Sequence, residues 1–353
     1  MTTFFSLGAT RRIGKNNQLM KISKLINWGR IDYKVRSVNK NLGDGKSGGV
    51  VPYDALSMFK AILLQNWHSL SDKELEDALN VRIDFMLFCD LDLMNNIPDE
   101  TTICRFRNRL IEKNLLHKLL TEINSQLEES GLKVKKADMA IVDATIIESA
   151  SRPRMKALEE IVTDRNEVDT NQDQPRNNQT KYQESVSSDP DAKWLKKGTK
   201  FYFGYKSFAT IDEEGFVINT HTTPANCAEV NKLEIMTKNI NASRMSGDKA
   251  YDSKGNRELL KKKNIKSGIM FKAKRNQPLT HWQKLFNKLI SKKRFRIEQS
   301  FGTLKRKFKF RKASYQTTTK VQAQFTMKAI CLNLLKAVNK IEMILPRKRL
   351  LTG

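Results

Sequence analysis

Three carboxylates stand where ordinary folding would not place them. Asp143 falls inside Ala137 to Ile147 (ADMAIVDATII), a short, β-branched and largely apolar run that reads as a buried strand. A core strand avoids a carboxylate unless a cation or metal pairs with it, so burial at Asp143 calls for such a partner. Asp248 follows Met245-Ser246-Gly247 at an expected strand end, and Glu298 lies on a basic helical segment. Carboxylate oxygens are the natural ligands of hard cations such as Mg2+. Two ions about 3.5 to 4 Å apart can activate an attacking oxygen and stabilise the leaving one at a phosphodiester. Two strand acids converging with one helix acid would build that site.

The segment Arg294 to Phe308 is the sharpest local pattern. At about 100° per residue, Ile297, Phe301, Leu304 and Phe308 make one apolar stripe, which should pack on a sheet. Arg294, Glu298 and Lys305 form a second stripe along its border, so one helix presents an acid flanked by cations. Glu298 would then bind metal while Arg294 and Lys305 hold phosphate. Taken alone, Arg294 and Glu298 would sooner describe an ion pair on a solvated helix. The two strand acids favour the catalytic reading.

The elements that must position these groups divide the chain. Residues 1–50 end in the Gly- and Lys-rich stretch Asn41 to Gly49 and read as a basic N-terminal arm or, equally, as a disordered tail. Residues 51–133 are helical in pattern, with Leu56, Phe59, Ile62 and Leu63 at helical spacing and Ser71 to Glu74 forming a capping box. A helix opening near Asp99 carries Arg105, Arg107 and Arg109 around Ile103, Phe106 and Leu110; these cations can be offered to DNA in helix-turn-helix style, or can be a solvated face. Leu115 to Leu127 is a further helix, stopped at Gly131.

Residues 134–310 mix periods. After the Asp143 strand comes a polar insertion over about 149–198, then strand patterns at Lys200 to Ile211 and Gly215 to Thr223 joined by a hairpin signal at Asp212 to Gly215. A helix is expected from Ala228 to Ile240, a strand at Ser267 to Lys272, and a helix from Trp282 to Phe308 broken near Ser291. Residues 311–353 read as a C-terminal helical segment. The order describes an α/β chain with a mixed sheet flanked by helices, following an all-α region.

Charge names the partner class. Lys and Arg number 64 against 38 Asp and Glu, a net charge of +26 spread along the chain. Such an excess gives salt-sensitive affinity for nucleic acid through counterion release. No apolar run is long enough to span a bilayer, and the four cysteines, far apart beside apolar neighbours, read as reduced buried thiols rather than zinc ligands. Trp194 reads as a packed or partly exposed loop residue, and Tyr202, Tyr205 and Phe208 as strand packing.

The residues resemble the DDE transposases of bacterial insertion sequences, particularly the large family numbered five. Asp143 in VDAT, Asp248 in GDKAYDS and Glu298 in RFRIEQSFGTLKR stand as the family's three acids do. FGYKSF (Phe203 to Phe208), TPAN (Thr223 to Asn226) and PDETTICRFRNRL (Pro98 to Leu110) are similar to family segments as well, so the likeness runs from about Asp54 to Leu335. Of the family's tyrosine, arginine, glutamate and lysine signature, the last three fall on Arg294, Glu298 and Lys305, whereas Ser291 stands at the tyrosine position. Phe208 stands where the family usually has histidine.

The resemblance implies a ribonuclease H-like catalytic core and two Mg2+ (or Mn2+) ions on Asp143, Asp248 and Glu298. It also implies recognition of terminal inverted repeats by the helical N-terminal region. Metal-assisted hydrolysis at the element's ends would precede attack of a freed 3′-hydroxyl on target DNA, with Lys206, Arg294 and Lys305 on the DNA and no protein nucleophile. Paired DNA ends imply at least a homodimer on double-stranded DNA, in the bacterial cytoplasm at the nucleoid. Two rivals are a metal-dependent nuclease that cuts without joining and a DNA-binding repressor with vestigial acids.

Overall fold

The computed structural model describes residues 8, 11–13, 17–39, 51–92, 94, 96–153, 155–157, 182–184 and 187–350. Helical packing begins earlier than the sequence pattern suggests. Asn17 caps α1 (Gln18–Leu25) and Asn27 caps α2 (Trp28–Val35), each side chain accepting from an amide of the first turn. A single 3-10 turn, Arg36–Asn39, follows. Ile22, Ile31 and Val35 are fully buried. Residues 17–39 are therefore packed structure rather than part of an arm: the apolar faces are narrow, and interspersed lysines disguise them. The stretch Asn41 to Gly49 lies outside the described residues.

The next helices are α3 (Ala55–His68), α4 (Asp72–Val81), α5 (Ile83–Phe88), α6 (Glu100–Glu112) and α7 (Leu115–Glu129). Ser71 and Glu74 complete the expected capping box of α4, and Asp99 caps α6 by accepting from Thr102 N. Helix α3 is buried on nearly every side, so the others wrap around it. Past the end of α7, Gly131 takes φ +72°, a left-handed step in which the Leu132 amide turns back to the Leu127 carbonyl.

A sheet follows, built on β1 (Ala137–Glu148). Its other strands are β4 (Lys193–Lys197), β5 (Lys200–Ile211), β6 (Val217–Pro224), β7 (Ala242–Gly247) and β8 (Lys266–Ile269); β2 (Met155–Ala157) and β3 (Tyr182–Glu184) pair separately. Strand β5 runs antiparallel to β1, β4 and β6, whereas β7 lies parallel to β1 and β8 parallel to β7. Most of the polar insertion, 149–198, lies outside the described residues, but its end forms β4, so Trp194 sits in a strand rather than a loop.

Three local expectations change. Instead of one helix over 228–240 there is a 3-10 turn, Glu229–Lys232, and one turn of α8 (Leu233–Met236); the Thr237 hydroxyl closes it by donating to Glu234 O. Helix α9 is Lys254–Lys262, and α10 runs unbroken from His281 to Arg306 through Ser291, where no Pro or Gly interrupts the hydrogen-bond ladder. Cys89 and Cys331 are buried, but Cys104 and Cys227 are only half-buried, and all four are free.

Helix α11 (Thr318–Leu350) returns through the middle, burying Val321, Phe325, Ile330 and Leu334 and packing on β6, α7 and α3. One hydrophobic cluster therefore joins the N-terminal helices, α11, α10 and one sheet face, including Ile141, Ala209, Ile297 and Phe301. A second covers the opposite face with Val142, Phe208, Tyr251 and Leu260. The result is a mixed α/β fold with a mostly helical N-terminal region around a central sheet.

Candidate active site

Strand register brings the two aspartates side by side. Parallel pairing sets Ile141 of β1 against Ser246 of β7, and two residues further along both chains stand Asp143 and Asp248. Asp143 is still in β1, where it pairs with Ala209 of β5, while Asp248 is the cap beyond β7, its side chain accepting from Lys249 N at 2.5 Å. The Asp143 Oδ1 accepts from Ala144 N at 2.8 Å.

Arg294 closes on both from α10. Its Nη2 donates to Asp143 Oδ2 at 2.5 Å, and its Nη1 lies 3.6 Å from Asp248 Oδ1. Burial pushes the Asp143 carboxyl up, and the Arg294 guanidinium opposes that shift. Arg294 is itself held charged by Asp143, Asp248 and Glu298 against the cost of its burial. The expected apolar stripe of α10 packs as the periodicity requires, with Ile297, Phe301 and Leu304 buried, and Phe308 is buried just past the helix end. That contact fixes the side of the helix on which Arg294 and Glu298 emerge.

The remaining expected residues separate. Glu298 is exposed one turn beyond Arg294, near enough for its field to act on the guanidinium. Lys305 is half-buried two turns further on, and burial together with Lys197 and Arg311 lowers its pKa, so it faces other cations. Lys206 is buried, 3.4 Å from Glu229 and donating to the Cys227 carbonyl. Ser291 is exposed on α10, and Phe208 is core.

Among the three arginines of α6, Arg107 requires correction. It is 8% exposed and bonds Asp72 through both Nη atoms, at 2.5 and 2.7 Å, under the ring of Tyr315. Alternation along a helix turns one of three arginines spaced two apart inwards, and Asp72 makes that burial tolerable. Arg105 is exposed and Arg109 half-buried.

Sequence reasoning missed two neighbours of the aspartates. Tyr251 is fully buried, with a hydroxyl lacking any hydrogen-bond partner, and burial followed by Glu229 and Asp143 pushes its pKa up. Gly247 leaves room for its ring, since an added Cβ would meet both Tyr251 and Val142 at 3.3 Å. Glu229 opens the 3-10 turn that packs against the Asp248 turn. GDKAYDS carried the tyrosine in plain sight; nothing local marks Glu229.

Carboxylate oxygens are the ligands that hard divalent cations take, and Asp143 and Asp248 converge on one positive charge while Glu298 stands a turn away along α10. Among the described residues no three acid, histidine or cysteine side chains close on a single point, and the Arg294 guanidinium provides the charge between the aspartates.

Carboxylates brought together on two neighbouring inner strands of a mixed sheet, in a chain so rich in cations, fit an enzyme that works on nucleic-acid phosphodiesters. The comparisons narrow that class: residues 135–334 match the Transposase DDE domain and residues 9–109 the Transposase domain (DUF772). The chain belongs to the DDE transposase family, whose members cut DNA and transfer strands with divalent metal ions. It is 43% identical over 238 residues to a transposase for an insertion sequence element of Neisseria meningitidis serogroup B, covering 67% of this chain and 78% of that relative. No solved structure matches. No helix among the described residues is long and apolar enough to cross a membrane.

Proposed function

We propose that this transposase excises and inserts an insertion sequence, with Asp143, Asp248 and Glu298 holding two Mg2+ (or Mn2+) ions at the scissile phosphate. The observation that carries the reading is the Arg294 guanidinium drawn onto both Asp143 and Asp248, because it marks one point at which opposed charges from two strands and a helix meet. The strand order supports a ribonuclease H-like core: antiparallel β6, β5 and β1, then parallel β7 and β8.

The ions would supply a deprotonated attacking oxygen and charge neutralisation at the leaving oxygen. Asp143 is positioned by its strand and largely shielded from water, Asp248 is fixed by the turn it caps, and Arg294 orients both while offering donors to a phosphate oxygen. Lys305 would be a further DNA contact, and Lys206, buried against Glu229, would act by holding that carboxylate rather than by touching DNA. Arg105 and Arg109 of α6 would serve recognition of the terminal inverted repeats, within the helical region, on an at least dimeric assembly in the bacterial cytoplasm at the nucleoid.

The test uses labelled DNA carrying the inverted repeats that flank the gene, with and without Mg2+. Asp143→Ala, Asp248→Ala and Glu298→Ala each abolish cleavage while binding persists. Chelation of the metal does the same. Strand cleavage retained in all three variants refutes the assignment.

A further inference from the structure

Helix α10 does more than carry Arg294 and Glu298 to the site. From Phe271 to Ile297 the chain holds nine Lys or Arg and no Asp or Glu. The first four turns of α10 are exposed except around Asn287 and Ile290. This projection is nonetheless rigidly built. The Asn287 side chain clamps Phe271 through both backbone groups, at 2.8 and 3.0 Å. Trp282 stacks on Phe286 at 5.4 Å with Phe271 edge-on to both, and a Thr280–Gln283 capping box holds the helix start.

On this projection Lys284, Lys288 and Lys292 stand four residues apart and form one row, every member exposed. Among the described residues none of the three has an ion-pair partner. At about 100° per residue the row turns away from Arg294, with Lys292 and Arg294 about 200° apart, and lies on the outward side of the helix that carries Glu298. At about 1.5 Å per residue, Lys284 lies about 21 Å from Glu298 along the axis, which matches about six phosphates of one strand at about 3.4 Å each.

We propose that the lysine row Lys284–Lys288–Lys292 seats the target duplex, the DNA into which the element is joined. Three observations select that partner. The row carries three positive charges and no acid, beside the exposed Leu285, Leu289 and Phe295, so its charge fits a polyanion. Lysine ammoniums are point charges without the planar fork that reads bases, so the affinity is independent of sequence. Element ends have a fixed sequence, whereas target DNA in general does not. The row also lies on the helix that carries Glu298, the exposed acid of the cluster, so DNA seated on it borders the site.

The assignment rests on the cutting-and-joining reading above, and its test separates the two. The variant Lys284→Gln/Lys288→Gln/Lys292→Gln keeps good helix formers and removes three charges. Two reactions are compared at several salt concentrations: cleavage of uncut element ends, and joining of pre-cleaved ends to a plasmid. The expected result is joining reduced at least 10-fold with end cleavage within 2-fold of the unsubstituted protein, and a salt slope of plasmid binding shallower by about 2 to 3, near 0.9 per lost phosphate contact. Equal loss of cleavage and joining overturns the proposal, because the row then holds donor DNA. Unchanged joining overturns it too, as does a loss of joining that follows a change in oligomeric mass. If the unsubstituted protein neither cuts nor joins, the function reading itself falls and this proposal falls with it.

Discussion

Arg294 and Asp143, 151 residues apart in the chain, meet with Nη2 at 2.5 Å from Oδ2. Their side chains keep only 12% and 15% of their exposure, so each is the other's main compensation for leaving water. The pair ties the first strand of the sheet to the helix that carries Glu298.

Arg294→Ala should therefore lose more than activity. Removing one partner of a largely buried pair costs about 3 kcal/mol, at the lower end because both groups retain some water contact. Loss of a donor beside the reacting phosphate lowers cleavage by about 100-fold. Arg294→Lys restores part of the stability and little of the rate, since an ammonium cannot span Asp143 and Asp248 together. Urea titration beside a cleavage assay reads both. A fully stable Arg294→Ala protein would show the pair to be incidental.

Arg107→Ala gives the contrasting result. The side chain joins α6 to the start of α4 through Asp72 and lies against Tyr315, so truncation costs about 3 to 5 kcal/mol in unfolding free energy. DNA affinity per folded molecule stays unchanged. Arg105→Ala should do the reverse, with wild-type stability and weaker DNA binding. Filter binding at two salt concentrations, paired with denaturation, separates the two arginines.

At Gly204 the backbone leaves no room for a side chain. Its φ is +157°, and a Cβ there would lie 2.2 Å from the Ile147 carbonyl and 2.7 Å from Ser149 N. The clash is with the partner strand's backbone, where β5 meets both β1 and β4. Gly204→Ala is expected to cost about 3 kcal/mol or more, seen as a lowered Tm or insoluble protein. A variant melting within a degree or two of the parent would rule this out.

Lys328 supplies a pH test. Buried in α11, it donates to the Phe308 carbonyl at 2.7 Å and to the Ser69 hydroxyl at 3.2 Å, and burial pushes its pKa down to about 8 from 10.5. Below pH 8 both folded and unfolded chains hold the proton. Between about 8 and 10.5 the unfolded chain binds more, so this group's share of stability rises with pH. The stability difference between the parent and Lys328→Met should shift in the parent's favour from pH 7 to 9.5. Parallel curves would show that the ammonium is not desolvated.

Local pattern carried far in the helical parts. The capping box at Ser71, the cap at Asp99, the stop at Gly131 and the apolar stripe of α10 each depend on neighbours within a turn or two, and each folds as its spacing requires. It failed where compensation is remote. Arg107 reads as a surface cation until Asp72, 35 residues away, is seen to meet it, and Lys206 until Glu229 does. Residues 17–39 misled through composition: a few buried apolar side chains suffice when α3 and α7 supply the opposing surface.

By itself the sequence determined that Asp143 lies in an apolar strand, that Glu298 borders a packed helix face, and that the chain is made for a polyanion, since these are properties of local period and of charge. Tertiary structure alone decided which charges face one another. Strand register, fixed by side-chain packing on both faces of the sheet, set Asp143 beside Asp248, and the seating of α10 on that sheet brought Arg294 to them. Neither long-range pairing leaves a local trace in the chain.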